Sequence, residues 1–328
     1  MATVAERAVG AIVGAAVADA SAQPLHWIYN LQKLDSLIGR VETPEFHQPS
    51  ANPYYRIDTG RNSCYGDQAY VILESLAECQ GLDIADLKQR TYRMFGPGTD
   101  YDDTQNSEYK PHGGLKKSYP IHGSWRHFSI KDFLKNIEAG KDDTGSKKDD
   151  QVDGATKVAP LVALYAGQPC MLEKVEDALR VTQNSDTAVV AGLTTARILE
   201  QFILHGRKDR VIETVMEEMR KPDRENPTDL DQAMVSFLHK VLDNTGDLPK
   251  SLQSAVHGVV TGRDYVSAVR ATIRAGGCNA SRSSIIGACF GAQVGVEGIP
   301  ADWKAKTFRY QQVLELANRV VSCRSCML

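Results

Sequence analysis

A glycine pair followed by polar side chains is the stretch of this sequence best suited to form a ligand pocket. The residues are Gly276, Gly277, Cys278, Asn279, Ala280 and Ser281. A glycine pair lets the backbone turn sharply, and the free amide groups of a following helix face back towards such a turn. The pattern predicts either a binding pocket or a buried helix that begins at a glycine hinge.

The segment after this turn is predicted to be a tightly packed helix over residues 284–295. Gly287, Gly291 and Gly295 recur at four-residue spacing, with alanines beside them. Residues four apart lie on one face of a helix, so this face is almost bare backbone. We expect it to lie very close to a neighbouring helix.

A second group of candidate residues begins a predicted helix over residues 64–79. It consists of Tyr65, Gly66, Asp67 and Gln68. A carboxylate in the first turn of a helix is favoured by the helix dipole whether or not it binds a ligand. Asp67 is therefore either a helix-start acid or part of a site.

Two further candidates lie at the end of the first predicted helix, over residues 6–20, and on the turn after it. Asp19 lies at its end, Pro24 breaks it, and His26 follows on the turn beside aromatic residues. A single histidine in such a setting more often makes a structural hydrogen bond than performs catalysis.

Composition excludes several classes of protein. The 328 residues are 42% hydrophobic and 24% charged with a net charge of −3, so the sequence has no basic surface for nucleic acid. It has no run of about eighteen apolar residues to cross a membrane and no basic leader before its first apolar segment.

The seven cysteines are an odd number, which favours reduced thiols in the cytoplasm. Cys323 and Cys326 form a CxxC pair without partners, which indicates a frayed tail.

The periodicity of the sequence predicts an all-α protein with a single domain over residues 1–328. No stretch alternates as a strand does, and no repeat of fixed length occurs. Besides those already given, helices are predicted over residues 153–165, 173–183, 187–205, 211–220, 230–242, 248–260, 265–275 and 308–321.

Together these segments resemble the ADP-ribosylglycohydrolase family over most of the chain. The resemblance rests on the first helix, the turn at Tyr65, the segment from Asp153 to Pro160, and residues 276–303, of which the last is the most specific. It implies a multi-helix orthogonal bundle. In this family two magnesium ions lie between a Thr-Asp-Asp motif and a late Gly-Gly-Asp-x-Asp-Thr turn.

This sequence departs from the family at most of the residues that hold the metal. Tyr65 and Gly66 replace the threonine and first aspartate of the early motif, so that only Asp67 keeps a carboxylate. In the late turn the resemblance places Cys278 and Ala280 at the two aspartates. Ser281 stands at the late threonine, and His26 aligns with an acid found in many members.

Magnesium needs several hard oxygen ligands, and one carboxylate does not supply them for a pair of ions. We therefore expect no metal, no cofactor and no catalytic residue, with Asp67 as the vestigial candidate. Asp153, near the loop that would cradle phosphate, repels a diphosphate unless it is paired or protonated.

The motifs are similar to those of the family branch that contains the J-type crystallins of jellyfish eye lenses. The resemblance implies a structural lens protein in the cytoplasm of lens cells, a monomer or weak homo-oligomer without nucleic-acid or membrane partners. Two alternatives stay open. One is an active ADP-ribosyl hydrolase that acts on proteins or small molecules. The other is an altered pocket in which Cys278 and His26 perform thiol chemistry or hold a nucleotide-like ligand.

Overall fold

Helices form almost all of the regular structure of this chain. A computed structural model describes residues 2–102, 119–206, 209–223, 228–242 and 250–324. The α-helices in these ranges are α1 Val4–Ala22, α2 Leu31–Ile38, α3 Cys64–Cys79, α4 Ile84–Phe95, α5 Phe128–Glu138, α6 Asp153–Thr156, α7 Ala159–Tyr165, α8 Met171–Arg180, α9 Asp186–His205, α10 Val211–Met219, α11 Asp231–Leu242, α12 Lys250–Thr261, α13 Tyr265–Arg274, α14 Asn279–Val294, α15 Ala301–Lys306 and α16 Tyr310–Arg324. The predicted all-α fold class is confirmed.

The N-terminal helix α1 is the central element of the core. It begins with a capping box, in which the Thr3 hydroxyl accepts a hydrogen bond from the Glu6 amide at 3.1 Å and the Glu6 carboxylate accepts one from the Thr3 amide at 2.7 Å. From Ala8 onwards almost every residue of the helix is buried. A helix with apolar residues on all sides is stable only when other helices surround it.

Helix α14 crosses α1 at glycines on both helices. A Cβ atom added to Gly14 would lie 2.2 Å from the carbonyl oxygen of Gly287, and one added to Gly10 would lie 2.3 Å from that of Gly291. The two backbones are therefore in direct contact. The predicted close approach of the glycine face of α14 to a neighbouring helix is confirmed.

Two predicted helix boundaries were wrong. Helix α14 begins at Asn279, directly after Cys278, and not at residue 284. The segment predicted as one helix over residues 153–165 consists of two, α6 and α7. Pro160 in the first turn of α7 has no amide hydrogen to donate to an earlier carbonyl, so a helix cannot continue unbroken through it but can begin there.

Four helices and a small sheet were not predicted. The helices are α2, α4, α5 and α15, and the sheet pairs β1 (Tyr55–Arg56) with β2 (Ile121–His122) in parallel. The helix α4 had a detectable signal, because Asp83 caps it by accepting a hydrogen bond from the amide of Asp86 at 2.9 Å. Two-residue strands are too short to show alternation.

The buried side chains form one large cluster that contains residues from α1 to α16. A small second cluster surrounds the sheet, where Trp27 and Trp125 pack against Tyr55 and Ile121. The single domain over residues 1–328 stays a prediction.

Among the residues that the structure describes, two helices are long enough and apolar enough to span a membrane, judged by length and composition alone. They are Val4–Leu25 and Asp186–His205, each with a mean hydropathy of 1.3. In the structure 94% and 89% of their apolar windows are buried inside the protein. Their composition is explained by their place in the core.

Candidate functional site

The glycine turn before α14 is joined to the turn after α1 by backbone hydrogen bonds. Gly276 and Gly277 have φ angles of 65° and 63°, which glycine adopts without strain. The Gly277 amide donates to the Ile28 carbonyl at 2.8 Å, and the Trp27 amide donates to the Gly277 carbonyl at 2.8 Å. Trp27 itself has a φ of 64°, an uncommon conformation for a bulky residue.

Four of the predicted site residues lie together here. They are Cys278 and the three residues around its sulfur, His26, Tyr65 and Ser281, and we call them the thiol cluster. Cys278 is a partly exposed residue, and its sulfur lies 3.5 Å from Nε2 of His26, 3.2 Å from the Tyr65 hydroxyl and 3.1 Å from the Ser281 hydroxyl. These residues come from three separate parts of the chain. The predicted proximity of Cys278 and His26, on which the thiol-chemistry alternative depended, is present in the structure.

His26 is a buried, neutral imidazole. Its Nδ1 atom lies 3.1 Å from the hydroxyl of Tyr55, and the residue has no exposed surface. Burial lowers its pKa well below the usual 6.5, because a charged ring would lose its hydration. At neutral pH the ring therefore has one protonated and one unprotonated nitrogen.

The two residues after Cys278 serve the fold. The Asn279 side chain donates a hydrogen bond to the carbonyl of Leu25 at 3.2 Å, which further ties α14 to the turn after α1. Ala280 is fully buried in the core. It offers no ligand atom from its side chain.

Asp19 is a fully buried acid that connects α1 to the start of α3. One oxygen accepts hydrogen bonds from the Asn62 side chain and the Ser63 amide, both at 2.9 Å, and the other accepts one from the Ser63 hydroxyl at 2.5 Å. Burial raises the pKa of Asp19 to about 6. Gly66 must lack a side chain here, because its Cβ atom would lie 2.3 Å from an Asp19 oxygen.

The carboxylate of Asp67 is engaged by two residues outside the thiol cluster. It accepts hydrogen bonds from the Arg309 guanidinium at 2.6 Å and from the Tyr101 hydroxyl at 2.7 Å. These residues lie at a cleft of about 350 Å³, which Arg61 and Asp100 also line. Burial raises the pKa of Asp67, and the charge of Arg309 opposes this rise.

Gln68 and Asp153 belong to a third buried network. One oxygen of Asp153 lies 2.6 Å from Nδ1 of His127 and accepts a hydrogen bond from the Gln68 amide at 2.7 Å. Burial alone would lower the pKa of His127, but the Asp153 charge, the proximity of Cys64 and the hydrogen bonds to both residues together outweigh burial and raise that pKa well above 6.5. Burial lowers the pKa of Lys157, which donates to Gln68 at 3.1 Å, to about 8. Asp153 is thus paired with a cation.

No motif in the sequence identified His127, Lys157, Tyr101 or Arg309 as partners of these groups. Arg309 lies 242 positions after Asp67, so only the packing of α16 against α3 brings the two together. Tyr65 joins two networks, since its ring centroid lies 5.7 Å from that of His26 and 4.4 Å from that of His127.

The donor atoms of the described residues do not form a metal site. In residues 2–102, 119–206, 209–223, 228–242 and 250–324, no three side chains of His, Cys, Asp or Glu are arranged to hold a metal ion together. Of the C-terminal pair, Cys323 is partly exposed and contacts the Arg319 carbonyl at 3.3 Å. Cys326 lies outside the described residues.

The sequence and the helical fold of this chain match a known family of proteins. The family model described as ADP-ribosylglycohydrolase matches residues 1–326. A solved structure described as an ADP-ribosylglycohydrolase-related protein complex has a TM-score of 0.69 and 19% identity, covering 99% of this chain and all of that one. The chain belongs to the ADP-ribosylglycohydrolase family, and the resemblance in its motifs is confirmed.

Within this family the chain is similar to two proteins of Tripedalia cystophora. Crystallin J1A is 36% identical over 324 residues, and Crystallin J1B is 35% identical over 320 residues. Each alignment covers 96% of this chain and 96% of the relative. The predicted similarity to the J-type crystallin branch is confirmed.

Proposed function

We propose that this chain is a structural crystallin of the eye lens, built on an ADP-ribosylglycohydrolase fold that no longer holds its pair of magnesium ions. The observation that carries the proposal is the similarity to Crystallin J1A and J1B over almost the whole of both chains. An alignment of this length includes surface positions as well as core positions. A lens protein depends on its core for stability and on its surface for solubility.

The charge at the former metal positions supports the loss of magnesium. Of the aligned residues, Gly66 and Ala280 have no ligand atom in their side chains, and Cys278 is a soft ligand that magnesium does not favour. The remaining carboxylate, Asp67, already neutralises the Arg309 guanidinium at 2.6 Å. The residues present do not fit a pair of hard divalent ions.

The bulk properties of the chain suit a lens protein. Its 38 basic and 41 acidic residues nearly balance, which leaves a net charge of −3. A surface with both signs interspersed limits non-specific association at high concentration. We assign the protein to the cytoplasm of lens cells, as a monomer or weak homo-oligomer without a cofactor, nucleic acid or membrane as partner. Antibody staining that finds it mainly in other tissues would contradict this location.

Magnesium removal and addition test the proposal directly. A ligand that binds only the native state raises its stability in proportion to the logarithm of the ligand concentration. We expect the thermal midpoint of the purified protein to be the same in EDTA and in millimolar magnesium. The measurement is differential scanning calorimetry with and without ADP-ribose.

A rise of the midpoint by several degrees in magnesium would contradict the proposal. The hydrolase alternative is examined with the same protein by measuring free ADP-ribose released from an ADP-ribosylated protein. Release that disappears in an Asp67→Ala variant would establish an enzyme in place of a structural protein.

A further inference from the structure

The thiol of Cys278 lies in an environment that a structural role does not require. Cys278 is a partly exposed residue, and the Tyr65 hydroxyl, 3.2 Å from its sulfur, can donate a hydrogen bond to it. The single hydrogen of the Ser281 hydroxyl is shared between the Cys278 carbonyl oxygen at 2.8 Å and the sulfur at 3.1 Å. The nucleophilic form of cysteine is the thiolate, which such donors stabilise. Cys278 also precedes the first turn of the 16-residue helix α14, whose dipole favours negative charge at this end.

A base with a defined orientation lies beside the thiol. His26 Nε2 is 3.5 Å from the sulfur, and its Nδ1 is 3.1 Å from the hydroxyl of Tyr55. A neutral ring that donates its Nδ1 hydrogen to Tyr55 leaves Nε2 free to accept the thiol proton. This is the arrangement of nucleophile, base and orienting group that activates cysteine and serine in covalent catalysis.

The backbone holds this arrangement in an unusual conformation. Trp27, the residue after His26, has a φ of 64° and is fixed by its amide hydrogen bond to Gly277. Strained residues of this kind cluster at functional sites, because the surrounding structure must maintain them.

Aromatic rings also lie against His26 and Gly277, the neighbours of Cys278, and flat rings of this kind suit a flat reactant. The Trp27 ring centroid is 4.4 Å from that of His26, and the exposed Tyr29 ring packs against Gly277. We propose that Cys278 is the nucleophile of a covalent site for small planar electrophiles of the α,β-unsaturated carbonyl class, with His26 as its proton acceptor.

The reaction is an addition that needs no oxidant or other co-reactant. The Cys278 sulfur forms a bond to the β-carbon of the electrophile while its proton passes to Nε2 of His26. The electron pair of the carbon–carbon double bond moves to the enolate, and the α-carbon then takes a proton, which restores neutral His26. The product is a thioether, and all atoms of both reactants are retained.

Competition among the cysteines of the native full-length protein tests the proposal. N-ethylmaleimide, a planar unsaturated imide, is added in limiting amount at pH 7, and adducts are quantified by peptide mass spectrometry over time. We expect Cys278 to react about tenfold or more faster than Cys79, which is more exposed but lies in α3 away from this base.

Two conservative variants separate activation from mere exposure. Tyr65→Phe removes only a hydroxyl, and His26→Gln removes the base while keeping a polar side chain. Both are expected to slow the Cys278 reaction severalfold and to leave the Cys79 rate unchanged, which also shows that each variant is folded. The matched control, Cys79→Ser, is expected to leave the Cys278 rate at its original value.

Reaction of Cys278 at or below the rate of Cys79, or unchanged Cys278 rates in both variants, would overturn the proposal. A Cys278 rate at or below that of Cys79 in the wild type overturns the proposal even if a variant does not fold. The result is also separate from the structural role proposed above, since magnesium binding is measured independently of thiol reactivity.

Discussion

At the scale of single residues, the main electrostatic feature is the buried ion pair between Asp67 and Arg309. In this chain the carboxylate accepts hydrogen bonds from Arg309 and Tyr101 and is almost fully buried. A buried carboxylate is costly unless it is paired, so the guanidinium supplies the positive charge that the site needs.

Removal of Arg309 is therefore expected to destabilise the protein strongly. In Arg309→Met the Asp67 carboxylate stays buried without its cation, and such changes typically cost about 3–5 kcal/mol. Urea denaturation followed by circular dichroism measures the difference in the free energy of unfolding.

The matched control is Arg319→Met, on the same C-terminal part of the chain. Arg319 pairs with Glu78 at 2.8 Å, but both side chains are more than 40% exposed, at 44% and 45%. An exposed pair contributes about 0–1 kcal/mol, so the control should lose little stability. A loss in Arg309→Met as small as the loss expected for the control would show that the Asp67 pair is not important for the fold.

At the site, only some of the contacts between residues could be predicted from the sequence. The hypothesis that Cys278 and His26 lie together is consistent with their 3.5 Å contact. The division of Asp67, Asp153 and Cys278 among separate networks was not predictable, because their partners Arg309 and His127 are in parts of the sequence without a recognisable motif.

At the scale of elements, the crossing of α1 and α14 positions the site. Glycines on both helices allow contact between backbones, and α14 carries the Cys278 turn to the residues that follow α1. An increase in the distance between these helices would separate Cys278 from His26.

A single methyl group at this crossing is expected to destabilise the protein. In Gly14→Ala the new Cβ atom would lie 2.2 Å from the Gly287 carbonyl oxygen, which is backbone and cannot rotate away. Overpacking usually costs about 1–3 kcal/mol, and we expect a loss at the upper end of that range. Chemical denaturation measures the loss.

Gly258→Ala is the corresponding control in α12. Its Cβ atom would lie 2.7 Å from Cδ1 of Ile286, the end of a flexible side chain that can shift. Alanine also has the higher helix propensity, by about 1 kcal/mol. Stability close to wild type is expected here, and a loss as large as that of Gly14→Ala would argue against a special role for the crossing.

At the scale of the whole molecule, Asp19 makes global stability depend on pH. It joins α1 to the cap of α3 through Ser63, and it lies 3.5 Å from Ser284 of α14. Its pKa in the folded protein is about 6, against 3.8 for an ordinary aspartate. Between these values the folded state binds more protons than the unfolded state, so the contribution of Asp19 to stability falls as the pH rises.

The size of this effect follows from the shift. At about 1.36 kcal/mol per pKa unit, the contribution of Asp19 changes by about 3 kcal/mol between pH 4 and pH 6. We expect the stability of the wild type relative to Asp19→Asn to decline by this amount over that interval. Urea denaturation at a series of pH values measures it.

Asp264→Asn is a control of opposite sign. A backbone hydrogen bond from Ser267 lowers the pKa of Asp264, so its contribution is present above pH 3.8 and is lost as the pH falls. A stability difference between wild type and Asp19→Asn that stays constant with pH would mean that the buried acid does not titrate in this range.

The sequence by itself determined the class of fold and the composition of the site. Helical periodicity, small residues at four-residue spacing and the absence of strand alternation predicted the helical core, and the motifs identified the family. These features are local, because the burial pattern of each helix is visible in its own stretch of sequence. The residue types at Gly66, Cys278 and Ala280, none of which carries a carboxylate, were equally evident from the sequence.

Only the tertiary structure decided which charges and hydrogen-bonding groups meet. It paired Asp67 with Arg309, enclosed Asp19 until its pKa rose to about 6, and assembled the thiol cluster from the turn after α1, the start of α3 and the start of α14. The physical reason is that burial and electrostatic pairing depend on distances in space. Residues more than two hundred positions apart in the sequence have no fixed distance from one another until the helices pack.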